Sequence, residues 1–369
     1  MHILGLLVNL SFVAIASART EGSIENCPSL HPRDARPTNV RDLRPDDIKV
    51  IAAMGDSFMA GFGAKGIQGN ILNISSLFEY RGGSFGAGGD NGIATLPNFI
   101  KRYNPNLLGA SVGEHMAEYC EGSACMPRQY NPVFDRLNAA QSGSMMQNLA
   151  HQIDYVLEGL KNYPGVNYEE DWKLINVLIG TVDQCYSCIS SYYSFIAPEV
   201  YGKTIENMLT RIHEDVPRVI VNLIGTYNIS QAAVISAGQK YCEPFDHTDF
   251  ELNQLECWCI HSAPSRKVMN KFVASYNEQL RRKAEKFNNL HDPSFGVIYS
   301  PSPVNITSFP VEALSDIDCL HPSLRGHEWS SKALWRNMFL PLSAKAEVMN
   351  WNDYQSVYCP AEEDRFQIE

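Results

Sequence analysis

The chain has 369 residues, 44% of them hydrophobic, with 30 basic against 41 acidic residues and a formal charge of −11. Such acidity argues against a nucleic-acid partner and gives no electrostatic draw toward anionic membranes. The apolar content suffices for a sizeable core, and α/β folds of this length commonly form one large unit.

Residues 1–18, MHILGLLVNLSFVAIASA, close on Ala16-Ser17-Ala18, the small-residue pattern of signal cleavage, and read as a secretory signal peptide. No later window is apolar enough to span a membrane, so the mature protein is expected to be soluble and secreted. Residues 19–46, with CPSLHPRDARP and several unpaired charges, read as an extended leader that wraps or tethers rather than packs. The main domain is assigned to 47–345, and 346–369 is a polar, acidic C-terminal tail.

The main domain opens on IKVIAAM (48–54), a short apolar run of strand type that stops at Gly55-Asp56-Ser57. Ser57 is either a turn residue or a nucleophile lifted out of the strand end. The interval 62–138, rich in Gly, Asn and Pro, reads as long loop, a usual place for substrate-binding features. Gly143 then precedes a helical stripe of Met146, Leu149, Ile153, Val156 and Leu160, with Ser144-x-x-Gln147 as its capping box. A helix start offers free N–H groups and glycine permits close approach, so Gly143 is a candidate oxyanion donor.

Further apolar runs at 173–180, 218–225 and 295–300 alternate with helical stripes at Ile205, Met208, Leu209, Ile212 and at Val268, Phe272, Val273, Tyr276, Leu280. This alternation predicts a parallel sheet covered by helices on both faces, with ligands beyond the carboxyl ends of the strands. Ser57 and the turn Gly180-Thr-Val-Asp183 both follow strands directly. The segment 226–263 reads as a second loop-rich insertion.

The ten cysteines, all beyond the signal, predict up to five disulfides of open connectivity. The rival is a zinc site at Cys185-x-x-Cys188 and Cys257-x-Cys259, whose second pair lacks the two-residue gap of a zinc knuckle. Sequons at Asn73, Asn228 and Asn305 agree with secretion and are candidate glycosylation sites.

A serine nucleophile needs a base, usually a histidine oriented by a carboxylate. In SDIDCLHPSLRGHEW, Asp318 precedes His321 by three residues, so one tight turn brings the carboxylate to one ring nitrogen and leaves the other for Ser57. His327 is a second candidate without an equivalent carboxylate. Phe58, Met59, Phe62 and Phe85 are candidates for an acyl pocket, with core packing as the alternative.

Taken in order, the GDS turn, the glycine block NAAQSG, the strand-end Gly-x-x-Asp and the late Asp-x-x-His resemble the GDSL, or SGNH, hydrolases. Wording such as DLRPDDIKVIAAMGDSFMAGFGA, YCEPF, ECWC and DCLHPSLRGHEWSSKALWRNMFLPL is similar to a secreted phospholipase B group over roughly 27–360. The resemblance implies a flavodoxin-like three-layer α/β/α fold and hydrolysis of phospholipid and lysophospholipid acyl esters, with neither metal nor other cofactor. Membrane contact would come through such a substrate.

The resemblance also implies Ser57 as nucleophile, His321 as base, Asp318 as its orienting acid, and Ser57 and Gly143 N–H as oxyanion donors. Its third donor is an Asn where this chain has Val182, and a valine side chain has no N–H to offer. Gln184 and Asn138 are the candidates to fill that gap. Two functions of different class follow: a lipid acyl-ester hydrolase slowed by Val182, or a catalytically impaired scaffold that binds lipid or another partner.

Overall fold

Four apolar runs form one parallel sheet in the computed structural model, which describes residues 19–70, 73–126, 129–243, 252–345 and 348–368. The strands are β1 (Ile48–Gly55), β2 (Trp172–Leu178), β3 (Val219–Ile224) and β4 (Phe295–Ser300), hydrogen-bonded in that order. Between them run helices α1 (Leu149–Asn162), α2 (Pro198–Asp215) and α3 (Ala263–Asn288). A fourth, α4 (Leu324–Asn337), follows the sheet.

Alternation along each strand sends side chains to two cores. Val50, Ala52, Met54, Val177, Val221 and Val297 meet the buried faces of α1–α3. Ile51, Ala53, Leu174, Ile220 and Ile298 join Leu96, Phe99, Trp335 and Phe339 on the other side. The expected α/β/α layering and central parallel sheet are therefore present. At the free edge of β1 no full strand pairs among the described residues. Single bridges at Val50–Leu108 and Ala53–Asn138 take its place.

The loop-rich interval before α1 carries two short α-helices among the described residues, Leu96–Lys101, capped by Thr95 Oγ1 accepting from Asn98 N at 3.2 Å, and Pro132–Asp135. The expected box at Ser144 and Gln147 is corrected. A 3-10 turn, Met146–Asn148, intervenes before α1, and Asn148 Oδ1 accepts from Met145 N at 3.0 Å. Ser144 Oγ instead accepts from Gln152 Nε2 at 3.1 Å.

The leader is also corrected: it wraps, but it packs as well. Ile24, Cys27, Val40 and Leu43 are buried beside Val357, Cys359, Phe366 and Ile368 of the tail. Thr20–Glu21 pairs antiparallel with Val357–Tyr358, and Cys27 is disulfide-bonded to Cys359. Charges that look unpaired in sequence find partners far along the chain, as Arg44 Nη1 does with Glu362 Oε2 at 2.6 Å. The signal at 1–18 lies outside the described residues.

All ten cysteines are paired, which overturns the zinc alternative: Cys185 bonds Cys257 and Cys188 bonds Cys259. Cys120–Cys125 and Cys242–Cys319 complete the set. Among the described residues no helix is long and apolar enough to cross a membrane.

Cys27 and Cys359 are 332 residues apart, so their bond constrains nearly the whole unfolded chain. Replacing both by serine is expected to lower the unfolding free energy by about 2–5 kcal/mol, measured by denaturant titration followed by circular dichroism.

Candidate active site

The end of β1 is set by close approach. A Cβ on Gly55 would stand 2.1 Å from the Leu178 carbonyl oxygen at the end of β2, so no larger residue fits there. Both backbone groups of Gly55 are held by one side chain of α1: its N–H donates to Gln152 Oε1 at 2.8 Å, and its C=O accepts from Gln152 Nε2 at 2.9 Å. The next residue, Asp56, caps the short helix Ser57–Ala60 by accepting from Phe58 N at 3.1 Å. Its second oxygen accepts from Thr181 N, also at 3.1 Å, tying the ends of β1 and β2 together. Burial pushes this carboxyl up to about 6 despite those bonds.

Ser57 is thus fixed at the start of a helical turn with its hydroxyl 2.7 Å from His321 Nε2. His321 Nδ1 lies 2.7 Å from Asp318 Oδ2. The tight turn read from their spacing is real: Asp318 Oδ1 accepts from Leu320 N at 2.7 Å and His321 N at 2.9 Å, and Cys319 between them takes φ 50°. The Cys242 disulfide and the bond from Ser315 N to the His321 carbonyl, 2.8 Å, anchor this turn. Burial raises the Asp318 carboxyl, but His321 and the two N–H donors outweigh it and hold it below the usual range. Burial opposes the charged form of His321, while the Asp318 carboxylate beside it outweighs that and lifts the imidazole to about 9.

Gly143 stands across the site with φ 80°, and a Cβ there would meet the Tyr119 ring at 2.3 Å. Among the described residues neither Ser57 N–H nor Gly143 N–H donates to a protein group. A fully buried charge network supports the turn. Glu79 Oε1 accepts from Ser142 N at 3.1 Å and Ser142 Oγ at 2.6 Å, while Arg81 bridges Glu79 and Asp135 at 2.8 and 3.0 Å. His115 Nε2 closes the network on Asp135 at 2.7 Å.

Asp183 couples this turn to the end of β2 by accepting from Met146 N at 3.0 Å, and burial raises its carboxyl to about 7. Val182 presents an apolar wall to the site. Neither residue expected to stand in for an Asn at position 182 has a free side-chain donor pointed at the site. Gln184 Nε2 donates to Tyr227 O at 3.1 Å, and Asn138 Nδ2 to Met59 O and Ser111 Oγ, each at 3.4 Å.

Ser57, His321, Gly143 and Val182 open into one cavity of about 290 Å³. Of the candidate acyl-pocket residues only Phe62 lines it, its ring edge-on to His321 with centroids 4.9 Å apart. Phe58, Met59 and Phe85 belong to the core. His327 is structural: its Nδ1 accepts from Phe85 N at 3.3 Å, and burial lowers it to about 3, so it stays neutral.

Sequence reasoning missed Gln152, Glu79 and two acids of the cavity, Glu121 and Glu256. Gln152 carries a readable signal, a polar residue on the apolar stripe of α1. Glu256, Asp318 and His321 bring potential metal-donor atoms within 4.8 Å of one another, but Asp318 and His321 are committed to the hydrogen-bonded chain ending at Ser57. Of the sequon residues, Asn73 is exposed, while Asn228 and Asn305 are partly buried.

A family model described as GDSL-like Lipase/Acylhydrolase matches residues 51–334. The membrane-associated phospholipase B1 of Rattus norvegicus is 31% identical over 359 residues, covering 94% of this chain and 23% of that protein. The Homo sapiens protein of the same name is 30% identical over 363 residues, covering 95% and 23%. The chain therefore spans less than a quarter of the length of these relatives.

Gln152→Leu would leave the buried Gly55 N–H without an acceptor. It is expected to cost about 1–3 kcal/mol of stability, read from the midpoint and slope of a denaturant titration.

Proposed function

Because the chain belongs to the GDSL-like lipase/acylhydrolase family, we propose that it is a secreted, serine-dependent lipid acyl-ester hydrolase of phospholipase B type. The observation that carries this reading is the unbroken chain from Ser57 Oγ through His321 to Asp318, with both contacts at 2.7 Å and its serine end opening into a cavity. The phospholipase B1 relatives support a phospholipid or lysophospholipid substrate. Ten paired cysteines support an oxidising compartment.

In this reading His321 Nε2 takes the Ser57 proton as Oγ attacks the ester carbonyl, while Nδ1–H stays donated to Asp318. The negative charge on the tetrahedral intermediate is met by the N–H groups of Ser57 and Gly143. His321 returns the proton to the leaving alcohol as the C–O bond breaks, leaving an acyl-serine. Water, activated by the same imidazole, then releases the fatty acid and restores Ser57.

Val182 supplies no third donor, and a missing donor of this kind costs roughly 10²–10³ in kcat. The protein is therefore a slow enzyme by design of its cavity wall. An impaired lipid-binding scaffold is the second reading, and Val182 is the observation that favours it.

The oxidised, glycosylated protein is expected to react with a fluorophosphonate probe and the Ser57→Ala variant to remain unlabelled. A wild type that labels no more than the variant leaves only the scaffold reading. Val182→Asn is expected to raise esterase kcat by on the order of 10², with unchanged turnover locating the oxyanion elsewhere.

A further inference from the structure

Glu256 ends a short helical turn, Asn253–Glu256, and is followed at once by Cys257 and, two residues later, Cys259. Their disulfides to Cys185 and Cys188 clamp this turn to the segment after β2 that also bears Val182 and Asp183. The clamp sets Glu256 in the cavity wall with its side chain only 26% exposed. Its Oε2 lies 3.9 Å from His321 Nδ1, and a carboxyl oxygen of Glu256 lies within 4.8 Å of one of Asp318.

That Oε2 is shielded from solvent and meets no protein N–H or O–H donor. An ionised oxygen in such a place would bear its desolvation cost without a hydrogen bond, offset only by the His321 ring 3.9 Å away. A protonated one becomes a donor itself, and the acceptor it faces is Asp318. We propose that Glu256 is a positioning residue of the site, whose carboxyl keeps a proton directed at Asp318 and so sets how strongly the Asp318–His321 pair draws the proton of Ser57.

The electrostatics around it agree. Burial and the adjacent Asp318 charge drive the Glu256 carboxyl well above the ordinary carboxylate range. The other ionisable groups facing the pair are Tyr119 and Glu121 across the cavity, Asp56 behind His321, and Tyr241 on the Asp318 side. None of these is a cation; the one positive group facing Glu256 among the described residues is the His321 imidazolium at 3.9 Å, whose attraction is outweighed by burial and the Asp318 charge. With its proton in place, part of the Asp318 charge is spent on Glu256 rather than on His321 Nδ1–H. The imidazole is then less basic than Asp318 alone would make it, and more of it is neutral and ready to accept the Ser57 proton.

The inference rests on the hydrolase reading for its catalytic meaning, and its test separates the two. The His321 imidazole is titrated by NMR in a Ser57→Ala background, where no turnover is needed, with the signal assigned by loss in His321→Asn. The pH dependence of fluorophosphonate labelling is measured in parallel on the intact serine protein. Glu256→Leu, which removes the donor, is expected to raise the His321 titration by about one unit and to move the acidic limb of labelling up with it. That shift is about a tenfold slower reaction at a fixed pH on the limb. Glu256→Gln, whose amide N–H restores a bond to Asp318, is expected to bring both back to the wild-type position. A downward shift in either variant would mean that Glu256 is charged, and a Leu variant that titrates like wild type would mean no coupling; either result overturns the proposal. If wild type is never labelled, the hydrolase reading fails while the NMR titration still decides the role of Glu256.

Discussion

The 2.7 Å contact between Ser57 and His321 joins residues 264 positions apart, and it can persist only if several chain segments meet at the carboxyl ends of β1 and β2. The meeting point is the close approach of Gly55 to the Leu178 carbonyl. From that pinch Asp56 reaches Thr181, Gln152 reaches both backbone groups of Gly55, and Asp183 reaches Met146. Each bond is short, buried and made to backbone, so each fixes a chain path rather than merely a side chain. Remove the pinch and the serine turn, the glycine turn and the Val182 segment lose their common reference.

This assembly is electrostatically expensive. Asp56, Asp183, Asp318 and Glu79 are fully buried, and only the last has a close permanent cation, Arg81. Buried carboxyl groups without cations survive by accepting N–H bonds or by keeping their protons, and both solutions occur within one cavity wall. The surrounding acids also have a use: they favour the imidazolium that forms when His321 takes up a proton, the moment at which charge develops in the proposed reaction.

How much of this was readable in the sequence follows the range of the interactions. The four strands declare themselves through short β-branched runs, and Asp318 and His321 through a spacing that one turn satisfies. Ser57 follows from its abrupt position after β1. The leader and tail were not legible, because Ile24 and Val40 become core only when residues more than 300 positions away close over them. Gln152 and Glu79 serve backbone groups that have no sequence signature of their own, and Glu256 becomes chemical only through the disulfides beside it. The misplaced cap before α1 has a local cause: a 3-10 turn used Asn148 where a helix beginning earlier would have used Ser144.

The cross-links are unevenly placed. The described sheet carries no disulfide and is held by strand pairing and apolar burial, whereas Cys185–Cys257, Cys188–Cys259 and Cys242–Cys319 all brace the loops around the cavity, and Cys120, bonded to Cys125, donates its N–H to the Ser142 carbonyl. Apart from the Cys27–Cys359 staple of leader to tail, scaffold and mouth therefore lean on different bonds. Temperature and denaturant act on the first through its core, while thiol–disulfide poise acts on the second through its loops. The geometry of the chemically interesting end thus depends on sulfur chemistry to a degree that the sheet beneath it does not.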